Sequence, residues 1–236
     1  MENKFILESL FIILSVVSYM LGKFIYSKSR LMLLHTIIVA TILVILALRF
    51  VKVEIHLYQQ NTEVLRYLLN LSIVALGYLL YKHYDYIKNR GVAIFSATFI
   101  GSLTAILSVG LLAILFGAKY ETIVTLLPKS ITTPIAIVIS EQYGGSISLT
   151  AMIVVIAGIF GAIVGPWFLK FTGINSRLAT GLALGSAAHG IGTAKALETG
   201  ALEGAAGGLA IALMGLFTSI LIPLIVPFIK IVLSEI

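Results

Sequence analysis

The chain has 236 residues, 59% of them hydrophobic and only 11% charged, with a mean hydropathy of +1.09 and a formal net charge of +6. A soluble domain carries about 25% charged residues, and so apolar a chain cannot cover its surface in water, so lipid must be its solvent and a soluble enzyme is excluded. The chain has no cysteine, which rules out thiolate metal sites, and its basic residues are spread over short inter-helix loops, which suits an anionic membrane surface rather than nucleic acid.

Apolar runs and charge punctuation predict an all-α polytopic membrane protein with about eight transmembrane segments and no room for a water-soluble domain. Helix 1 is expected near 5–26; its leading charges, Glu2 and Lys4, cancel and no small-x-small cleavage site follows, so it reads as a span rather than a signal peptide. Helix 2 is expected near 31–50 and helix 3 near 62–82, with Tyr78, Tyr81, Tyr84 and Tyr86 as interface anchors. Helix 4 is expected near 91–117. Lys23, Lys28 and Arg30 in the first loop, and Lys82, Lys88 and Arg90 in the third, place both loops in the cytoplasm and the N-terminus outside. Residues 1–90 read as a scaffold or oligomerisation region, with a dimer favoured, because helices 1 and 2 are nearly featureless apolar rods. Residues 91–236 read as the core.

Segment 5, near 119–143, contains LLPKSITTPIA, with Pro128 and Pro134 six residues apart in an apolar run. Each proline lacks an amide hydrogen and clashes with the carbonyl four residues back, so the helix is interrupted. Lys129, Ser130, Thr132 and Thr133 lie between the prolines, and Thr133 before Pro134 reads as an N-cap followed by the first helical residue. Helix 6 is expected near 146–171. Segment 7, near 175–199, contains GLALGSAAHGIGTAKALETG, where Gly185, Gly190 and Gly192 loosen the helix around His189. Here Thr193 can cap the following half-helix, and Lys195 and Glu198 are one turn apart and can pair. Helix 8 is expected near 203–232, kinked at its end by Pro223 and Pro227. The stretches 91–145 and 146–200 are equal in length, and each pairs a long helix with an interrupted one. They predict an internal structural repeat of undetermined orientation. Simple alternation of spans would put Lys170 and Arg177 outside, against the positive-inside rule, unless one interrupted segment re-enters without crossing.

Bare backbone in hydrocarbon costs several kcal/mol per group, so such interruptions belong next to protein or a hydrated cavity. Two half-helix N-termini and a lysine crossing near the membrane midplane make an anion site, for which a small carboxylate is the natural guest. Lys129, Ser130, Thr132, Thr133, His189, Gly190, Gly192, Thr193 and Lys195 are the candidate substrate-binding residues, with Pro128 and Pro134 as the helix breaks. His189 and Glu198 are the candidate proton or charge carriers. The bland readings are a snorkelling Lys129, a His189 that only bonds a carbonyl, and a Lys195–Glu198 pair that only neutralises itself. Gly161/Gly165, Gly181/Gly185 and Gly204/Gly208 read as close helix packing. A serine protease using His189 with Ser186 or Ser146 lacks any supporting motif. No cofactor or metal is called for.

The stretches 126–136, 181–198 and EGAAGGLAIALMG (203–215), together with LLNLSIVALGYLLYK (68–82), resemble the LrgB/CidB family over about 62–230. The resemblance implies a multi-pass protein of the cell membrane. It also implies either holin- and antiholin-like control of murein hydrolase activity with a small LrgA/CidA-type partner, or transport of pyruvate-, glycolate- or lactate-like monocarboxylates. The family-marked positions are Pro128, Lys129, Ser130, Thr132, Thr133, Pro134, His189, Gly190, Gly192, Thr193, Ala194 and Glu198. Helix 3 departs from many relatives: Asn70, Leu71, Ser72 and Ile73 stand where Gly-Pro-Ala-Thr is common, and Leu79 near a usual proline, so that helix is expected to be straighter.

Overall fold

The computed structural model describes residues 2–29, 34 and 36–234, and every regular element among them is helical. The helices are α1 (Glu2–Ser29), α2 (Thr36–Phe50), α3 (Ile55–Gln60), α4 (Glu63–Lys82), α5 (Tyr84–Lys88), α6 (Gly91–Leu115), α7 (Tyr120–Leu126), α8 (Thr133–Gln142), α9 (Ile147–Phe171), α10 (Arg177–Thr199) and α11 (Ala201–Ser234). Four contain spans long and apolar enough to cross a membrane: Ile6–Ser29, Gly91–Leu115, Ile147–Phe171 and Ala201–Leu233. The chain divides into two compact units, Met1–Ala75 and Leu76–Ile236.

In the first unit α1 and α2 touch at backbone level, since a Cβ on Gly22 would sit 2.6 Å from the Thr36 carbonyl oxygen. Short α3, unforeseen in the sequence, docks on α1 by the Phe11–Tyr58 ring contact (5.4 Å) and the Ser15–Tyr58 hydroxyl bond (2.7 Å). Part of the stretch between α1 and α2, including Arg30, lies outside the described residues.

The second unit is organised by two rows of small and hydroxyl residues at four-residue spacing. On α6 the buried row is Ile94, Thr98, Ser102, Ile106 and Gly110; on α9 it is Thr150, Val154, Gly158 and Ala162. Such rows form the ridges and grooves that let helices approach closely in lipid, where no hydrophobic force drives them together. The serine and threonine hydroxyls do not disturb this: Thr98 donates to the Ile94 carbonyl in its own helix at 2.8 Å.

Helix α6 runs parallel to α11. Ile94 near the start of α6 clusters with Leu202 and Ala206 near the start of α11, and Gly110 lies by Ile229 near its end. Between those points Ser102 Oγ donates to Met214 Sδ (3.0 Å), and Phe95 and Phe99 pack edge-on against Phe217. Helix α9 runs the opposite way. Its start is tied to α7 and α8 through Thr150, and its end packs Leu169 against Leu184 and Ala196 of α10. α11 is a single helix to Ser234, with Pro223 and Pro227 inside it. Pro166 is likewise inside α9.

α10 is helical at both ends but not at Ala188 (φ −133°, ψ 17°) and His189 (φ 42°, ψ −127°). There the chain reverses. Along the first arm Gly181 lies against Glu203 and Ala206, and Gly185 against Gly207 and Ala210. The second arm goes back down α11, with Thr193 against Gly207 and Leu197 against Gly204, until Gly200 returns beside Arg177. α7 and α8 make a similar return at the other end of the unit. α7 starts where Lys230 lies over the Tyr120 ring (5.1 Å). The chain turns through 127–132, and Ser140 of α8 comes back level with Thr125 of α7, both bonded to Thr150.

Candidate functional site

The first turn follows from its prolines. Helix stops after Leu126 and restarts at Thr133, with Pro134 in the first turn, where a missing N–H costs nothing. The N-cap is Thr132 rather than Thr133, and it makes no side-chain capping bond. Its φ of −65° and ψ of 142° give the extended backbone that a cap position requires, whereas Thr133 is already helical. At the turn Lys129 Nζ donates to Ser130 Oγ at 3.0 Å, and Ser130 is buried.

The second turn is held by its histidine. His189 is 6% exposed, and its Nε2 lies 3.0 Å from the Val154 carbonyl of α9. A carbonyl only accepts, so Nε2 carries the proton and a neutral ring presents Nδ1 as an acceptor. The imidazole fits because residue 158 is glycine: a Cβ there would come within 2.6 Å of the ring. A positive φ at a non-glycine residue marks a strained turn that the surrounding packing must hold. Thr193 does not cap the half-helix that follows. It lies a turn inside the second arm, 1% exposed, with a hydroxyl that has no hydrogen-bond partner among the described residues, packed against Gly207.

The two turns approach one residue from different sides. The Val154 side chain belongs to the cluster containing Leu127 and Ile131 of the first turn, and its carbonyl receives His189 of the second. Beside them is a cavity of about 1070 Å³ bounded by α6, the first turn, α9 and the first arm of α10, with Lys129 as the only charged residue on its wall among the described residues. Of the residues singled out in the sequence, the structure puts Lys129 on this cavity and Ser130 and His189 in the adjoining packed layer. It does not bring Thr132, Thr133, Gly190, Gly192, Thr193, Lys195 or Glu198 to the cavity wall. Gly192 is needed for the hairpin itself, since any Cβ would strike the Leu184 carbonyl of the opposite arm. Lys195 bonds Glu198 at 2.7 Å near the open end of the hairpin. Gly161 packs on Ala188 and Gly165 on Leu184, while Gly181 and Gly185 pack on α11.

Two further groups were not foreseen. Thr125, Ser140 and Thr150, each at most 1% exposed, form a hydroxyl clasp: Thr150 Oγ1 donates to the Thr125 carbonyl (3.2 Å) and is hydrogen-bonded to Ser140 Oγ (2.7 Å), and the Ser146 amide donates to Thr125 Oγ1 (2.9 Å). Arg177 donates through Nε and Nη2 to both oxygens of buried Glu203 (2.7 and 2.9 Å), joining the start of the α10 hairpin to the start of α11. Neither could be found from spacing, because their members are separated by 10 to 26 residues. No cluster of three or more metal-ligating side chains occurs among the described residues.

Apolar helices of spanning length and buried, interrupted segments define an α-helical integral membrane protein. Residues 15–228 match the model of the LrgB-like family, and the chain belongs to that family. It is 37% identical over 215 residues to the uncharacterized protein YxaC of Bacillus subtilis, covering 91% of this chain and 94% of the relative. It is 33% identical over 224 residues to the holin-like protein CidB of Staphylococcus epidermidis, covering 95% and 98%. An uncharacterized protein of Haemophilus influenzae is 35% identical over 216 residues, covering 92% and 94%. No solved structure matches the chain.

Proposed function

We propose that the chain carries small monocarboxylates, of pyruvate, glycolate or lactate type, across the bacterial cell membrane by alternating access. The observation that carries this reading is Lys129: a cation at the tip of an interrupted segment, on the wall of an otherwise uncharged cavity. In a low-dielectric site a single lysine selects for one negative charge. The Ser130 hydroxyl steadies the ammonium at 3.0 Å, and His189, with Nδ1 free to accept, is suited to carry a coupled proton.

The topology supports the same reading. Taking α6, α9 and α11 as spans, the α7–α8 and α10 segments become re-entrant hairpins entering from opposite faces. The units 91–145 and 146–200 are then an inverted repeat, a common build of secondary transporters. Lys82, Lys88, Arg90, Lys170, Arg177 and Lys195 all gather at one face, with Lys119 and Lys230 at the other, which satisfies the positive-inside rule for that first face. The conflict over Lys170 and Arg177 disappears because the first interrupted segment turns back.

A second reading is favoured by the name of the Staphylococcus relatives, holin-like protein CidB. In it the chain regulates murein hydrolase activity and autolysis with a small LrgA/CidA-type membrane partner, with a homodimer as the basal unit. Uptake of labelled pyruvate, glycolate and lactate into proteoliposomes, measured beside lysis of expressing cells, separates the two. Transport predicts that Lys129→Ala abolishes uptake while the folded protein remains monodisperse. Unchanged uptake in that variant sinks the carrier reading. Partner-dependent lysis that survives Lys129→Ala supports the second.

A further inference from the structure

We propose that the cavity beside Lys129 accepts the hydrocarbon tail of an amphiphilic carboxylate, of medium-chain fatty-acid type, with the Lys129 ammonium holding the head group. This rests on the reading of Lys129 as counter-charge to a carboxylate and extends the ligand class from short acids to those with an apolar tail. Three observations carry it. The first is size. The cavity volume of about 1070 Å³ is at the upper end of small-molecule sites, which run about 300–1,000 Å³, and a two- or three-carbon acid would leave most of it unfilled.

The second is chemistry. Apart from Lys129 the wall is aliphatic and aromatic, with no hydroxyl, amide or carboxylate side chain on it. Such a wall suits a run of methylenes. The third is access and charge. Phe116, Phe160 and Phe168 line the cavity and are also 86%, 65% and 52% exposed, so it opens sideways between α6 and α9. Both helices are long and apolar enough to cross a membrane, so that opening faces hydrocarbon, and a tail can slide in from the bilayer. Lys129 has one hydrogen bond among the described residues, to a neutral serine, so its charge is left for a ligand to balance.

The test is binding of labelled decanoate to the full chain in lipid nanodiscs, with empty discs subtracted. The expected result is saturable binding of one decanoate per chain. Referred to the aqueous acid, affinity should rise about fourfold per methylene from butyrate upward. Lys129→Gln should weaken decanoate binding about tenfold and leave decanol unaffected, because only the charged hydrogen bond is lost. Ala187→Phe, which puts a ring on the cavity wall without touching the lysine, should abolish binding of both. The proposal is overturned if nothing saturates above empty discs, or if both variants bind decanoate like the parent, which is simple partitioning. It is also overturned if the parent binds none while Ala187→Phe changes its assembly size, which would mean a second copy or another helix fills the cavity. Pyruvate uptake by the same preparations keeps the two readings apart. Lysine-dependent uptake without decanoate binding overturns only the tail site, and lysine-dependent decanoate binding without uptake overturns only the short-acid carrier.

Discussion

Gly185 is where the α10 hairpin meets α11 backbone to backbone. A Cβ placed there would lie 2.5 Å from the Gly207 carbonyl oxygen, 2.7 Å from the Gly207 Cα and 3.0 Å from the Ala210 Cβ. Two of these three neighbours are backbone of a long helix and cannot rotate aside, so Gly185→Ala must push the first arm of α10 away from α11. Overpacking of this kind costs about 1–3 kcal/mol, which for a chain of this size lowers the melting temperature by roughly 2–12 °C. Gly190, just past the reversal at 188–189, has no atom within 4 Å of an added Cβ. Gly190→Ala should therefore be neutral or stabilise by about 0.4–1 kcal/mol, through the unfolded chain and the helix propensity of alanine. Thermal unfolding of both variants in one detergent, followed by helical circular dichroism, reads the difference directly. If Gly185→Ala melts at or above the parent temperature, or the two variants move together, α10 does not fold back along α11 as described.

Three other outcomes are expected. Arg177→Gln leaves the buried Glu203 carboxylate without its bidentate partner; because the arginine is largely solvent-exposed, the loss should be about 1–2 kcal/mol, measured as a lower melting midpoint, with Glu203→Gln milder. Thr150→Val keeps shape but removes the hydroxyl that bonds Ser140 and the Thr125 carbonyl; it should cost about 1–3 kcal/mol and speed proteolysis within 120–145. The chain has no cysteine, so single-cysteine probes are clean. In oriented vesicles, Asn89→Cys and Ser176→Cys should react with an impermeant thiol reagent from one face, and Lys119→Cys and Gln142→Cys from the other. Labelling of Gln142→Cys and Ser176→Cys from the same face would exclude opposed hairpins.

The class of the protein was legible in composition, because 59% hydrophobic and 11% charged residues leave lipid as the only solvent for the chain. The long helices were legible too: α6 and α9 are apolar runs whose one charge, Lys170, falls in the last turn of α9, and their predicted edges lie within two residues of the observed ones. The four-residue spacings Gly161/Gly165 and Gly181/Gly185 marked where helices touch. Caps were less legible, since Thr132 and Thr133 are equally good capping residues and only the backbone angles distinguish them. The sense of the chain at 188–189 was not legible at all. Ala-His-Gly could continue a helix, bend it or reverse it, and reversal follows only from the fit of both arms on the same face of α11.

Local sequence thus determined which segments prefer lipid, where helix is hard to continue, and which residues could bear charge, because hydrophobicity, proline sterics and ionisation are properties of single residues or neighbours. Tertiary structure decided which of those residues share a space. Lys129 lies on a cavity walled by α6, α9 and α10, and His189 on a carbonyl 35 residues away. Those placements depend on which helix backbones can approach each other, and that is settled only when all of them pack at once.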